Sequence, residues 1–289
     1  MNTDIKVYSA ESGVRNPRLV LRDMIRGLLQ SRYMAYRLCV KDVRAEYAKS
    51  AFGILWDFVD PFVFASIFYF LAKIRVLNPG ELGMPYAVFV IYGLLLYQTF
   101  SESVTMSLDI MKRSKTILTH LKLPPEALIL SVFYRVAFNS TFRIVVILIF
   151  SLVLSATAAK DGQTTFSIFG FMKFVACYPL LIFGGMSFGI FLAPFSAIYA
   201  DVGRITRIVL TPLRYASPVL YAMPTAFPFN WISIINPIGP IIQNLRSLAT
   251  SDTVTDLPGI AVRCAVFLVV FSVGWLIFHL AVPVLAEKT

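Results

Sequence analysis

The sequence predicts an all-α integral membrane protein with six transmembrane helices, an N-terminal amphipathic interfacial helix, and a proline-broken re-entrant hairpin before the last helix. Of the 289 residues, 57% are hydrophobic and 15% are charged, and the mean hydropathy is +0.73, whereas soluble domains are about 45–50% apolar. Apolar runs close to the length of about 20 residues that crosses a bilayer recur along the chain. Positive charge collects beside these runs, as it does next to membrane spans.

The predicted spans share this length and composition. They lie near residues 51–76, 86–108, 127–156, 168–193, 205–221 and 260–285. The fifth span is short, and it contains Pro212 and Pro218. Residues 51–289 are therefore predicted to form one transmembrane domain, preceded by a cytoplasmic region, residues 1–50.

Residues 222–249 are apolar but interrupted by several prolines. Because proline breaks helices, this segment is not expected to cross as one helix. A re-entrant hairpin fits the pattern better than an interfacial loop, the alternative. Backbone that is not helical at membrane depth persists only where protein or a water-filled path satisfies it, so the hairpin indicates a translocation route.

Basic residues set the orientation. They are dense in residues 1–50 and in the loop 109–126, which predicts that both are cytoplasmic. Six spans then place the C-terminus on the same side. Within the first region, apolar residues at helical spacing flank Arg18, Arg22 and Arg26, the pattern of an amphipathic helix at a membrane surface.

Several kinds of chemistry have no sequence support. The phosphate-binding pattern GxxxxGKS or GxxxxGKT does not occur, so ATP hydrolysis is expected only in a partner. The three cysteines and two histidines are scattered, which argues against a metal site, and His279 is expected to be a hydrogen-bonded packing residue. No signal peptide is predicted. The net charge of +10 lies beside the spans, which favours membrane lipid over nucleic acid as its partner.

Two cations fall inside the predicted third span. Arg135 and Arg143 are eight residues apart, so each lies within about 40° of the centre of one helical face, with Asn139 between them. Buried cations face a partner or a wet path. Either they contact an anion in a conduit, or Arg135 snorkels to the cytoplasmic surface and Arg143 pairs inside the bundle.

The 25 phenylalanines and 13 tyrosines exceed what anchoring at two interfaces requires. We expect some of these rings to line a path, where flat faces stack on successive units without demanding one sequence. Packing and lipid-facing positions are the alternative. The predicted channel-lining residues, with the two arginines, are Tyr69, Tyr92, Tyr97, Arg135, Arg143, Tyr215 and Tyr221.

Two groups of residues resemble a known family. The run KDVRAEY at 41–47, with Ser50, Gly53, Leu55-Trp56 and Pro61, resembles the first signature of ABC-2 type permeases of polysaccharide export. The second signature is similar to Asp201-Val202, Ser217-Pro218-Val219, Tyr221, Pro224, Asn236-Pro237 and Arg246. The sequence departs from the pattern at Glu46 and Ala200, where the family often has basic residues.

The resemblance implies the permease subunit of an ABC exporter, itself not an enzyme, that moves a lipid-linked capsular polysaccharide or O-antigen across the bacterial inner membrane. ATP and magnesium would bind a cytoplasmic ABC ATPase subunit present in two copies. The other implied partners are a second copy of the chain, membrane lipid and, optionally, a periplasmic adaptor.

The resemblance also implies roles for residues. The ATPase would be contacted through Lys115, Ile117, Leu118, His120 and Lys122. The hairpin would be an outer gate, built on Ser217, Pro218, Asn236 and Pro237. The stripe Arg37, Lys41 and Arg44 would contact the phosphate of the lipid-linked substrate, with attraction to bulk anionic lipid as the alternative.

Three other functions remain open at this point. An ABC-2 exporter of small molecules or drugs would share the architecture. A proton-coupled carrier or flippase would transport without an ATPase. A membrane-embedded glycosyltransferase would need a nucleotide-sugar site such as DxD, which the sequence lacks.

Overall fold

In the computed structural model of the protein, the described residues are 17–48, 50, 52–53, 55–74, 84–114, 123–158, 166–221 and 235–287, and their regular structure is helical throughout. The principal helices are α1 (Pro17–Gln30), α2 (Arg32–Tyr47), α3 (Leu55–Lys73), α4 (Tyr86–Leu108), α5 (Pro125–Ala158), α6 (Ile168–Ile198), α7 (Ala200–Ala216), α8 (Gly239–Ser251) and α9 (Leu257–Glu287).

Local signals explain where several helices begin. Pro125 opens α5, with the acidic Glu126 in its first turn, which suits the fixed backbone angle of proline and the helix dipole. The Ser167 side chain accepts a hydrogen bond from the Gly170 amide and caps α6. Asp256 caps α9 in the same way through the Gly259 amide, at 2.8 Å.

Within the part of the chain that the structure describes, four helices are long and apolar enough to cross a membrane: Tyr86–Leu108, Pro125–Ser155, Ile168–Ile198 and Leu257–Val282. They correspond to the second, third, fourth and sixth predicted spans, and they show a multi-pass membrane protein. Helix α6 continues past the predicted end at residue 193, through Pro194, because neighbouring protein can satisfy the backbone groups that proline frees.

Helix α4 is the centre of the bundle, since 83% of its most apolar stretch is buried inside the protein, against 22% of the corresponding stretch of α9. Two glycines let α6 pack closely against it. A Cβ at Gly185 would lie 2.6 Å from the Phe100 carbonyl oxygen, and one at Gly189 would lie 2.4 Å from that of Val104. Small residues of this kind let helix backbones approach closely in membranes.

The helices have two common ends, fixed by contacts with α4. Arg207 in the middle of α7 pairs with Asp109, just past the end of α4, at 2.5 Å. At the other extreme, the Tyr86 hydroxyl donates to the Leu220 carbonyl at 3.0 Å. The chain from residue 207 to residue 220 therefore runs antiparallel to α4. We call the first extreme the α2 end and the second the α8 end.

Helices α6 and α9 run in the same direction, from the α8 end to the α2 end. The start of α6 lies against the end of α8, where a Cβ at Gly170 would meet the Leu248 carbonyl oxygen at 2.2 Å. The last turns of α9 bring His279 to Glu126, near the start of α5. Because α6 and α9 run the same way, the chain between them must return, and α7 is the returning helix.

Candidate functional site

Arg135 is held at the α2 end. Its side chain, 4% exposed, forms an ion pair with Glu46 near the end of α2 and lies 5.7 Å from the centre of the Tyr47 ring. The Tyr47 hydroxyl in turn donates to Asp57 of α3. Helix α2 is thus tied to two helices of the bundle through residues of the predicted first signature.

A second polar cluster lies deeper between α4, α5 and α6. Arg143 pairs with Glu102 at 2.5 Å and donates to the Thr99 hydroxyl at 3.2 Å. Asn139 donates to the other Glu102 oxygen at 2.5 Å, and Thr99 shares a hydrogen bond of 2.7 Å with the Tyr178 hydroxyl. In this conformation both interior arginines face carboxylates, so contact with a passing anion stays a prediction.

The predicted aromatic residues divide into two groups. Tyr92 and Tyr97 are 1% and 0% exposed, and their hydroxyls bond to Ser151 and to the Leu210 carbonyl. By contrast, Tyr215 is 60% exposed and Tyr69 is also exposed. The first pair packs inside one chain in this conformation, whereas the second pair presents ring faces at its surface. Tyr221 is half-buried, so its exposure is intermediate between those of the two pairs.

The segments on either side of residues 222–234 meet at the α8 end. Asn236 donates to the Ala216 carbonyl and the Ser217 hydroxyl, both at 3.0 Å. Its side-chain oxygen accepts the Ile238 and Gly239 amides, also at 3.0 Å, so Asn236 caps α8 while holding the end of α7. We call residues 217–221 and 235–238 the α7–α8 junction. It contains the four predicted gate residues, Ser217, Pro218, Asn236 and Pro237.

Arg246 of α8 connects this junction to α4. Its guanidinium donates to the Pro218 carbonyl at 2.6 Å and lies 3.5 Å from the centre of the Phe89 ring of α4. Arg246 belongs to the predicted second signature, and no role was predicted for it. Gly93 makes room for the contact, because a Cβ there would lie 2.7 Å both from the Arg246 guanidinium and from the Val219 backbone.

The stripe Arg37, Lys41 and Arg44 is exposed on α2. Arg37 donates to the Tyr33 hydroxyl at 3.2 Å. On the opposite side of the helix Cys39 is buried, and burial raises the pKa of its thiol. Helix α2 therefore rests on the bundle through one face and presents its basic stripe to the surroundings.

One polar cluster was not predicted. The Glu126 carboxylate, 1% exposed, contacts His279 of α9 at 2.7 Å and accepts the Trp275 indole N–H at 3.4 Å. Gly27 of α1 covers it, since a Cβ there would lie 2.7 Å from the carboxylate. The prediction that His279 is a hydrogen-bonded packing residue is confirmed.

Some predicted features fall outside the described residues. These are the five predicted ATPase contacts, within 115–122, and most of the predicted hairpin, 222–234. Among the residues that are described, no three His, Cys, Asp or Glu side chains come together in a way that could hold a metal ion.

The fold is that of a multi-pass helical membrane protein whose buried charges join separate helices. Residues 34–250, most of the chain, match the family described as "ABC-2 type transporter". The chain belongs to this family.

Individual relatives extend the match. The chain is 28% identical over 220 residues to the "O-antigen export system permease protein RfbA" of Klebsiella pneumoniae, covering 74% of this chain and 78% of the relative. It is 23% identical over 228 residues to the protein of the same description from Myxococcus xanthus, covering 78% and 82%. The "Polysialic acid transport protein KpsM" of Escherichia coli is 19% identical over 211 residues, covering 72% and 78%.

Proposed function

We propose that the chain is the membrane permease of an ATP-driven exporter that moves a lipid-linked cell-surface polysaccharide, a capsule or O-antigen, across the bacterial inner membrane. The likeness to export permeases for such polymers along most of their length carries this proposal. The matched region includes both signatures, the interior ion pairs and the α7–α8 junction.

In the proposed topology α3 and α7 complete six crossings. Helix α3 has 19 residues, about 29 Å at the usual rise, close to the hydrocarbon thickness of about 30 Å. Helix α7 is supported as a crossing by its contacts with α4 at Asp109 and Tyr97 and by the need to return between α6 and α9. With 17 residues it is shorter than the other crossings, and it carries Arg204, Arg207 and Arg214.

The proposed orientation puts the α2 end in the cytoplasm and the α8 end outside. The basic loop 109–126 and both termini then lie in the cytoplasm, in agreement with the positive-inside rule. ATP and magnesium are bound by a separate ABC ATPase, two copies of which dock on the loops 109–126 of a permease dimer. This chain supplies no cofactor site and no catalytic residue. Residues 222–249 form the re-entrant outer gate.

The cargo path lies where two copies meet, and exposed rings such as Tyr69 and Tyr215 are suited to line it. An aromatic face covers the C–H face of a sugar, and such stacking tolerates sliding because successive sugars are alike. At the cytoplasmic surface Arg37, Lys41 and Arg44 gather the phosphate of the lipid carrier, through charge-assisted hydrogen bonds.

The test uses a strain that lacks the chain and accumulates polymer inside. Wild-type protein, expressed with its ATPase, should restore surface polysaccharide and end the accumulation. The variant R37Q/K41Q/R44Q should restore much less. Its matched control, R22Q/R26Q/R32Q, removes the same charge from exposed positions on α1 and α2.

Attraction to bulk anionic lipid, about 1 kcal/mol per basic residue, would weaken both triple variants equally, and equal loss would remove the phosphate contact from the proposal. Export of a small amphipathic dye without polysaccharide would replace the proposal by a small-molecule exporter. Transport driven by a proton gradient without the ATPase would replace it by a carrier.

A further inference from the structure

Arg246 is a buried cation whose described partners are not acidic. It is 3% exposed, and its contacts are the Pro218 carbonyl and the Phe89 ring. Burying a cation without a carboxylate is costly. An arginine at such a place therefore indicates a function that an apolar side chain could not supply.

The contacts of Arg246 join three segments. Helix α8 carries the side chain, the end of α7 supplies the carbonyl, and α4 supplies the ring. Asn236 connects α7 to α8 only. Helix α4 meets the junction through the hydrogen bond from Tyr86 to Leu220 and the close approach of Gly93 to Val219, and Arg246 adds the contact that joins α4, the junction and α8 at once.

The rest of α8 is held differently. Its C-terminal end is fixed to α6 by the close approach of Gly170 to Leu248 and by the pair Lys173–Asp252 at 2.8 Å. These contacts bind α8 to α6 and do not involve α7. Loss of the Arg246 contacts would therefore weaken the hold of α4 on the end of α7 and the start of α8, where the Tyr86 and Gly93 contacts remain, while the far end of α8 stays in place.

Only arginine suits both contacts at once. Its planar guanidinium stacks on an aromatic face and donates in its own plane, whereas the lysine ammonium is a point charge that is strongly hydrated. A carbonyl and a ring also release a cation more readily than a carboxylate does, because no second charge is left uncompensated.

We propose that Arg246 is the latch of the outer gate. It is a positioning residue that holds the α7–α8 junction against α4 while the gate is closed, and its contacts with Pro218 and Phe89 break when the gate opens. The inference rests on the proposed function for its gate. Its geometry is independent of which cargo the permease carries.

The experiment measures local opening with Val219→Cys, a position that is fully buried in the junction. The background replaces Cys39, Cys177 and Cys264, the free cysteines of the chain. A membrane-impermeant maleimide is added to intact cells, and the labelling rate of position 219 is recorded. R246M should raise the rate about tenfold, as expected for the loss of a hydrogen bond to a charged group, and R246K should fall between R246M and wild type.

K173M is the matched control, because it removes an exposed cation at the same end and breaks the contact of α8 with α6. It should leave the labelling rate unchanged. F89L, which removes the ring and keeps the arginine, should raise the rate less than R246M does, and it serves if R246M fails to accumulate. An unchanged rate in both R246M and F89L would overturn the latch.

A global structural role is separated by a second reporter. In purified protein that retains Cys39 alone, buried at the far α2 end, R246M should leave thiol reactivity unchanged. If both reporters react faster together, Arg246 holds the whole fold and the latch is wrong.

Thr253→Cys, exposed beside α8, tests the proposed function separately. Failure to label it from outside would contradict the proposed orientation, and the comparison of R246M with K173M would then be made in inverted vesicles, where the same difference supports or overturns the latch.

Discussion

The two ends of the molecule hold their buried arginines in different ways. At the α2 end and just inside it, Arg135 and Arg143 face the carboxylates of Glu46 and Glu102. At the α8 end, Arg246 is 3% exposed and faces a carbonyl and a ring. Breaking a buried ion pair leaves two charges uncompensated, whereas parting Arg246 from a carbonyl and a ring leaves only its own charge.

This difference predicts different mechanical behaviour. Helices joined by ion pairs keep their register, so the α2 end is suited to move as a unit when a partner subunit pushes on it. The α8 end, held mostly by hydrogen bonds to neutral groups, is suited to open and close. Each of the following substitutions breaks or sharpens that contrast.

The largest effect is expected from E102A. It leaves the guanidinium of Arg143 without its carboxylate and removes the acceptor of Asn139, which should lower the free energy of unfolding by about 3 kcal/mol. The measurement is thermal unfolding of the purified permease in detergent.

The double variant E102A/R143M should recover much of this loss, because it removes the stranded charge as well. The exposed pair Lys173–Asp252 gives the control, and D252N should change stability by less than about 1 kcal/mol. A double variant as unstable as E102A alone would mean that side-chain packing, not charge, joins these helices.

A smaller loss is expected from E126A, about 2 kcal/mol, because the Trp275 indole and His279 lose a buried acceptor. This carboxylate joins α5 to α9 at the C-terminal end of the loop 109–126. E126A should therefore reduce the stimulation of the partner ATPase by cargo more than it reduces basal hydrolysis. H279Q, which keeps a donor beside the carboxylate, should retain most of the stimulation; equal loss of basal and stimulated rates in E126A would reduce the cluster to a packing feature.

The spans at 86–108, 127–156, 168–193 and 260–285 could be predicted because a run of apolar residues is a local signal. The side chains that pair between these helices could not be predicted. Glu126 and His279 are 153 positions apart, and Arg135 and Glu46 are 89 apart. Glu46 stood out in the sequence only as a departure from the family pattern, and in the fold it is the counter-charge of Arg135.

Single-residue exposure was the other limit of sequence reasoning. Tyr92 and Tyr215 both lie in apolar segments, and periodicity did not show that one packs inside the bundle while the other faces outward. Asn236 illustrates the opposite case. An Asn-Pro pair after a broken apolar run is a strong local signal of a turn. The contacts of Asn236 with the end of α7 place it at the α7–α8 junction, where the predicted hairpin would begin and end.

At the α8 end, N236A should lower stability by about 1–2 kcal/mol, because it removes a helix cap and two donors to the end of α7. N236D keeps the oxygen that caps α8 but loses the donors. Labelling of the Val219→Cys reporter should rise in both variants, and thermal unfolding should shift in both, because N236D also places a buried carboxylate against the Ala216 carbonyl. Unchanged labelling in N236D would mean that capping alone accounts for the effect of Asn236.

The smallest effect is expected from Y92F. The phenol is buried and shares one hydrogen bond with Ser151 at 2.9 Å, so its loss should lower stability by about 1 kcal/mol, and the serine hydroxyl can turn to a backbone carbonyl of its own helix. Because the ring keeps its packing within one chain, export of polysaccharide should stay at the wild-type level. Y215A should have the opposite effect. It removes an exposed ring, so thermal unfolding should stay unchanged while export falls. If Y92F stops export in a stable protein, the path runs through the interior of each chain, and the contrast between buried and exposed rings does not locate it. If neither variant affects export, stacking on these tyrosines has no part in moving the cargo.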